Sequence, residues 1–221
     1  MVGAIPAAAH LMLERPAVMK RMLATALFAL AVPLVATAQT STRINSVGHG
    51  QNIFVDQSAA IASSVDIEQI GNSNQLVHSQ TGTGQSAAYR VSGNDNAIAA
   101  RQEGNGANSL SGQITGNGNE ARLTQFAALG GSVNALTLIQ HGSSNFADLS
   151  QSANAGVNQM ALTQNGHGNS ALLTQNGDDN SLSLTQNGNG NHAQLSQTGN
   201  GLGLALTQNG GASIAITQVA P

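Results

Sequence analysis

Gln175, Gln186 and Gln197 stand eleven residues apart, and so do Asn169, Asn180 and Asn191. Each Asn precedes a Gln by six residues, with two apolar side chains at alternate positions between them. The unit Asn-x-h-x-h-x-Gln, with h apolar, has a period of two. It therefore predicts a β-strand whose Asn, two h residues and Gln share one buried face. Fifteen such units run between Gln51 and Gln218; thirteen end in Gln and ten begin with Asn. Val91 and Ile114 replace the terminal Gln, and only His78, Tyr89 and Gly112 depart from aliphatic or Met at the h positions. Four turn residues usually join the units. The second is Gly at 166, 177, 188, 199 and 210, as suits positive φ and a tight reversal.

The true repeat is twice as long. Units starting at Asn119, Asn145, Asn169 and Asn191 carry Ala then Leu, whereas those at Asn134, Asn158, Asn180 and Leu202 carry Leu or Met then Leu. Two different stacked sheets explain this alternation. The expected fold is all-β: a two-sheet β-solenoid of about 22-residue coils, each strand stacking in parallel on the one a coil away at roughly 4.8 Å. An inward amide left unpaired costs about 1–3 kcal/mol. Stacking identical amides removes that cost, as in cross-β assemblies. The candidate ladder residues are Asn145, Gln151, Asn158, Gln164, Asn169, Gln175, Asn180, Gln186, Asn191, Gln197, Gln208 and Gln218. The turn glycines Gly166, Gly177, Gly188, Gly199 and Gly210 form the corners.

Composition agrees with a repeat architecture and disfavours an enzyme. Aromatics are 2% and charged residues 8%, with 26 Gly and no Cys. Disulfides and thiolate metal sites are thereby excluded. A disordered Gln/Asn-rich tract would share the composition, but disorder does not require apolar residues on one face of every unit.

The N-terminal segment reads as targeting information. Lys20 and Arg21 give a positive start, residues 23–35 an apolar run, and Ala36-Thr37-Ala38 a small-x-small cleavage site before Gln39. Met19 makes a better start for this signal than Met1. The predicted organisation is residues 1–38 as extension plus secretory signal, 39–45 as a short segment, 46–218 as solenoid and 219–221 as tail. Three of the seven cationic residues and one of the ten acids precede Gln39, leaving a net charge of −5 after it. No basic patch remains for nucleic acid. No integral membrane span is expected after the signal.

Within residues 181–197, Gln186, Gly188, Asn191, Ala193 and Gln197 recur in the order of the curlin repeat. The chain resembles that family over most of residues 46–218. The resemblance implies a secreted subunit of curli, the amyloid fibres on Gram-negative cell surfaces that support adhesion and biofilm matrix. It also implies partnership with itself and other curlin subunits, and export through a dedicated outer-membrane pore with accessory proteins. Major subunits of the family often carry a Gly-rich export segment, whereas QTSTRINSVGHGQN is only weakly Gly-rich. A nucleator-type minor subunit thus stands as an alternative.

No catalytic, cofactor or metal site is expected. Asp178 and Asp179 are neighbours in one turn and read as solvated, with weak calcium contact at most. His49, His78, His141, His167 and His192 fall at different register positions, and only His78 faces inward by parity. A monomeric solenoid binding ice or carbohydrate is a further alternative. It is weakened because Thr163, Thr174, Thr185, Thr207 and Thr217 lack a second Thr two residues earlier. Between Ser150 and Pro221 the only charged side chains are Asp178 and Asp179. Charges restrain strand pairing, so the C-terminal coils are expected to template fastest.

Overall fold

The computed structural model describes residues 40–220. The signal segment, with Ala36, Ala38 and Gln39, and Pro221 of the tail lie outside the described residues. Sixteen strands follow one another. The odd-numbered strands are β1 (Ser41–Val47), β3 (Ser64–Asn72), β5 (Ser86–Asn94), β7 (Ala107–Thr115), β9 (Val133–Ser143), β11 (Val157–His167), β13 (Ser181–Asn187) and β15 (Gly203–Asn209). The even-numbered strands are β2 (Asn52–Ile61), β4 (Gln75–Thr83), β6 (Ala97–Gly104), β8 (Glu120–Ala127), β10 (Phe146–Ala153), β12 (Ser170–Asn176), β14 (His192–Thr198) and β16 (Ser213–Val219).

All odd strands form one eight-stranded sheet in chain order, and all even strands form the other. We call these the odd sheet and the even sheet. Every pairing is parallel. The chain is thus a two-sheet β-solenoid of eight coils, each giving one strand to each sheet.

The registers show what fixes the coil length. Leu182 pairs with Leu204 and Leu184 with Leu206 at a spacing of 22 residues. Ala121 pairs with Ala147 and Leu123 with Leu149, at a spacing of 26. The extra residues lie in turns, so the inward columns stay aligned. A one-residue slip would send the whole apolar set outward. Between the sheets lies one thin core. Ala121, Ala147, Ala171 and Ala193 stack in the even sheet, with Leu136, Met160 and Leu182 in the odd sheet.

The turns carry a steric constraint that depends on stacking. Gly166 has φ +124°, and a Cβ there would lie 2.1 Å from the carbonyl oxygen of Gly188, one coil on. A Cβ at Gly116 would lie 1.8 Å from the oxygen of Gly142. These glycines leave room for the backbone of the next coil. A second left-handed residue, just before the inward Asn, is less demanding. It is Ser73, Asp95, Ser144 and Asp179 in four turns, with φ of 56–58°. Gly168 at the equivalent place has nothing within 4 Å of its Cβ position. There the backbone, not space, favours glycine.

Two boundaries differ from the sequence reading. Residues 41–45, predicted to precede the solenoid, belong to β1, which pairs with β3 from Ser41↔Ser64 to Val47↔Ile70. The described residues thus form sixteen strands, one more than the fifteen units. At the other end Val219, assigned to the tail, completes β16 and pairs with Thr198. The stretch FAALGGSV is divided between β8, a turn and β9. Ser132 is buried where a strand would be entered, and its hydroxyl donates to the Leu129 carbonyl at 2.6 Å.

Candidate functional site

The inward amides form columns along the solenoid. In the even sheet each Gln Nε2 donates to the Oε1 of the next Gln. This continues from Gln57 through Gln80, Gln102, Gln125, Gln151, Gln175 and Gln197 to Gln218, at 2.7–3.0 Å. In the odd sheet Gln140, Gln164, Gln186 and Gln208 do the same at 2.8–2.9 Å. The Asn columns run the opposite way. Asn191 Nδ2 donates to Asn169 Oδ1 at 2.9 Å, Asn169 to Asn145 at 3.1 Å, and Asn145 to Asn119 at 3.1 Å. In the odd sheet Asn158 Nδ2 donates to Asn134 Oδ1 at 3.3 Å, and the backbone N–H of Asn180 donates to Asn158 Oδ1 at 3.0 Å.

Each amide has a second task that the spacing does not reveal. Gln175 Nε2 also donates to the Gln159 carbonyl, Gln186 to that of Ser170 and Gln197 to that of Ser181, at 3.0–3.2 Å. In these three the acceptor lies sixteen residues earlier, on the opposite sheet; Gln140 and Gln164 reach Glu120 and Phe146 across the core in the same way. The Gln side chains therefore fasten sheet to sheet as well as coil to coil. Asn145, Asn158, Asn169 and Asn180 each donate to the carbonyl of a turn glycine: Gly166, Gly177, Gly188 and Gly199 respectively. Those carbonyls face inward because the glycines take positive φ. Gly210 also has positive φ, and its N–H donates to the Asn187 carbonyl at 2.9 Å.

The odd-sheet Gln column has a gap. Gln69, Val91, Ile114 and Gln140 are successive register partners. With apolar residues between them, both amide atoms of Gln69 and the Oε1 of Gln140 are buried without a partner. Next to this gap lies the other irregularity of the core. Tyr89 fills a position held by Leu from β9 onward, and its hydroxyl meets His78 Nδ1 across the core at 2.7 Å. Gly112, the register partner of Tyr89, makes room: a Cβ there would lie 3.1 Å from the ring. His78 is fully buried and its Nε2 has no partner. Burial lowers the His78 pKa to about 4, from a usual 6.5.

Asp178 and Asp179 are structural acceptors rather than simply solvated. Asp178 Oδ1 accepts the backbone N–H groups of Asn154, Ala155 and Gly156 at 2.8–3.0 Å, and Asp179 Oδ1 accepts that of Val157 at 3.0 Å. The N–H groups of Ala155 and Gly156, with that of Asn154, hold the Asp178 carboxyl below its usual pKa. They order a turn that is longer than most. His49, His141, His167 and His192 are exposed. Among the described residues, no group of three or more His, Cys, Asp or Glu could hold a metal ion. Among the same residues no helix is long and apolar enough to cross a membrane.

The C-terminal edge is where the columns stop. Leu204 and Leu206 of β15 and Ile214 and Ile216 of β16 pack on the core yet stay partly exposed. No described element covers them. Gln218 Nε2 donates to the Gly203 carbonyl at 3.3 Å, which leaves its second N–H available to a further acceptor. At the other end Gln57 Oε1 accepts from the Thr42 hydroxyl, and β2 is bulged between Asp56 and Ala59.

Two predictions follow from this geometry. Gln69→Met removes a buried amide that has no partner, whereas Gln175→Met breaks a satisfied column. We expect the first to stabilise by about 1–2 kcal/mol and the second to destabilise by about 2–4 kcal/mol in denaturant titration. Stability also falls with pH through His78. Its folded pKa lies below the unfolded one, so the unfolded chain binds the proton first. Stability is fully present above pH 6.5, is lost as pH falls toward 4, and the loss approaches about 3 kcal/mol. The double variant His78→Leu/Tyr89→Phe should lose this component, read as the difference from the parent chain between pH 7 and pH 4.

Comparison with known proteins adds one local similarity. The curlin-associated repeat matches residues 158–188 and 177–210. No curated protein and no solved structure matches the chain significantly. The matched residues lie within β11 to β15 and the turn after it, and contain part of each amide column and the turn glycines Gly166, Gly177, Gly188, Gly199 and Gly210. Residues 158–210 are thus similar to the curlin-associated repeat.

Proposed function

We propose that this chain is a secreted structural subunit of a curli-type extracellular amyloid fibre. It grows head to tail by continuing both sheets from one subunit into the next. The observation that carries the reading is the direction of the even-sheet Gln column. Its donors point toward the C-terminal edge, where Gln218 has an N–H to give, and its acceptors point toward Gln57. A second copy placed with β1 and β2 on β15 and β16 continues the column. Two C-terminal edges set face to face would bring donor against donor. The half-exposed Leu204, Leu206, Ile214 and Ile216 supply the apolar part of the junction. The edge strands β15 and β16 carry no charged residue to restrain pairing.

On this reading the chain has no enzymatic activity and needs no cofactor; assembly itself is the activity. The family match supports partnership with other curlin subunits, display on a Gram-negative cell surface, and a role in adhesion and biofilm matrix. Export through an outer-membrane pore with accessory proteins belongs to the same proposal, as does the secretory signal ending at Ala38.

Thioflavin-T kinetics on the purified chain, with electron microscopy of the end point, test the reading. Fibres should form after a lag that preformed seeds shorten. Ile216→Lys places a charge at the growing junction and should slow seeded elongation by roughly 100-fold, the effect of burying an unpaired charge. A stable soluble β-rich monomer, or unchanged elongation of the Ile216→Lys variant, contradicts it.

A further inference from the structure

The two outer faces of the solenoid differ in charge. In the even sheet, Arg101, Glu103, Glu120, Arg122 and Asp148 occupy the outer face from β6 to β10, and Arg122 lies over the Phe146 ring at 5.4 Å. In the odd sheet, charge stops at β5. Arg43 pairs with Asp66 at 2.8 Å, and Arg90 approaches Glu68 at 3.7 Å. From β7 to β15 the strands contain no Asp, Glu, Lys or Arg. The central outward column there reads Ser111, Thr137, Ala161, Ser183 and Ala205, in register. These side chains are short and exposed or half-buried, and no described element lies over them.

We infer that this charge-free half of the odd sheet is a lateral interface, and that its partner is the same face of a second copy in a neighbouring filament. The inference rests on the fibre reading above. Self-pairing of this half desolvates no Asp, Glu, Lys or Arg and sets no like charges together. Pairing against the even sheet would bury Arg101, Arg122 and three acids, at a cost. Short side chains let two sheets approach closely, as in dry cross-β interfaces. The charged remainder of the odd sheet holds two Arg and two acids in pairs, so it adds no net repulsion.

Area says when pairing occurs. Five strands at ~4.8 Å and seven residues at ~3.3 Å give a patch of about 550 Å². That is less than the roughly 800 Å² per partner of a stable interface. Two free subunits therefore do not pair through it. Stacked subunits present the patch repeatedly on one side of a filament, and the contacts add. Lateral pairing is thus a property of filaments and follows elongation.

The test separates pairing from growth. Thr137→Lys/Ser183→Lys charges the odd face two strands apart, and Ser150→Lys/Ser196→Lys does the same on the even face. Parent and even-face variant should form paired filaments, and the odd-face variant single ones of half the width, with seeded elongation rates within about 2-fold. Paired filaments from the odd-face variant, or single filaments from both variants, overturn the inference. Failure of the parent chain to form filaments overturns the fibre reading and this inference with it.

A milder pair of variants guards against loss of folding. The chain has no Cys, so Ser183→Cys and Ser150→Cys each add one thiol per subunit. Equivalent thiols within a filament lie about 38 Å apart, eight strands at ~4.8 Å. A bismaleimide too short to span that distance should link filaments of Ser183→Cys into covalent dimers and leave Ser150→Cys unlinked. The opposite pattern, or no linking of either, contradicts the interface.

Discussion

A buried amide without a partner costs about 1–3 kcal/mol, and this chain buries an Asn and a Gln in most of its strands. That constraint governs the rest of the structure. A primary amide has two donor hydrogens and an acceptor oxygen, so one hydrogen bond does not satisfy it. The interior Gln residues solve this with one bond along the column, one to the opposite sheet and one accepted from the coil before. All three are available only if successive coils stack in register. The amides thus act less as a source of net stability than as a penalty on every other register. The Leu and Ala core supplies the apolar burial, but on its own it would tolerate slippage along the axis.

The gap at Val91 and Ile114 shows the same rule from the other side. Where two column positions are apolar, the flanking Gln69 and Gln140 lose partners, and the neighbouring core holds the His78–Tyr89 pair instead of aliphatic residues. The β2 bulge and this gap fall in the first four coils, and apart from Asp178 and Asp179 every charged side chain of the described residues precedes β11. The last coils are regular, and β13 to β16 are free of charge. The molecule is graded from an irregular N-terminal half to a regular C-terminal edge, and the direction of the Gln column gives that edge a chemical sign.

Much of this was legible in the sequence, because a period of two inside an eleven-residue unit fits little but a strand. The alternation of Ala-Leu with Leu-Leu or Met-Leu pairs distinguishes the two sheets in the sequence itself. The first strand was not legible. In β1 the inward residues are Thr42, Ile44 and Ser46, one aliphatic side chain with neither amide. It folds as a strand because β3 offers it an edge. The sheet-to-sheet bonds of the Gln residues left no trace either, since their acceptors are backbone carbonyls that any residue supplies. Asp178 and Asp179 look solvated in the sequence for a related reason: their partners are N–H groups of a turn one coil earlier. Spacing reveals like-with-like contacts between side chains, and it is silent on side chain to backbone.

The central claim is that coils stack on coils, within a chain and from one chain to the next. Mass per length, measured on unstained filaments by scanning transmission electron microscopy, tests it most directly. Eight strands per sheet at ~4.8 Å give one chain per about 38 Å of a single filament, and twice that mass for a laterally paired one. A value near one chain per ~4.8 Å would mean that extended chains stack as single rungs, and it would contradict the solenoid as the unit of assembly.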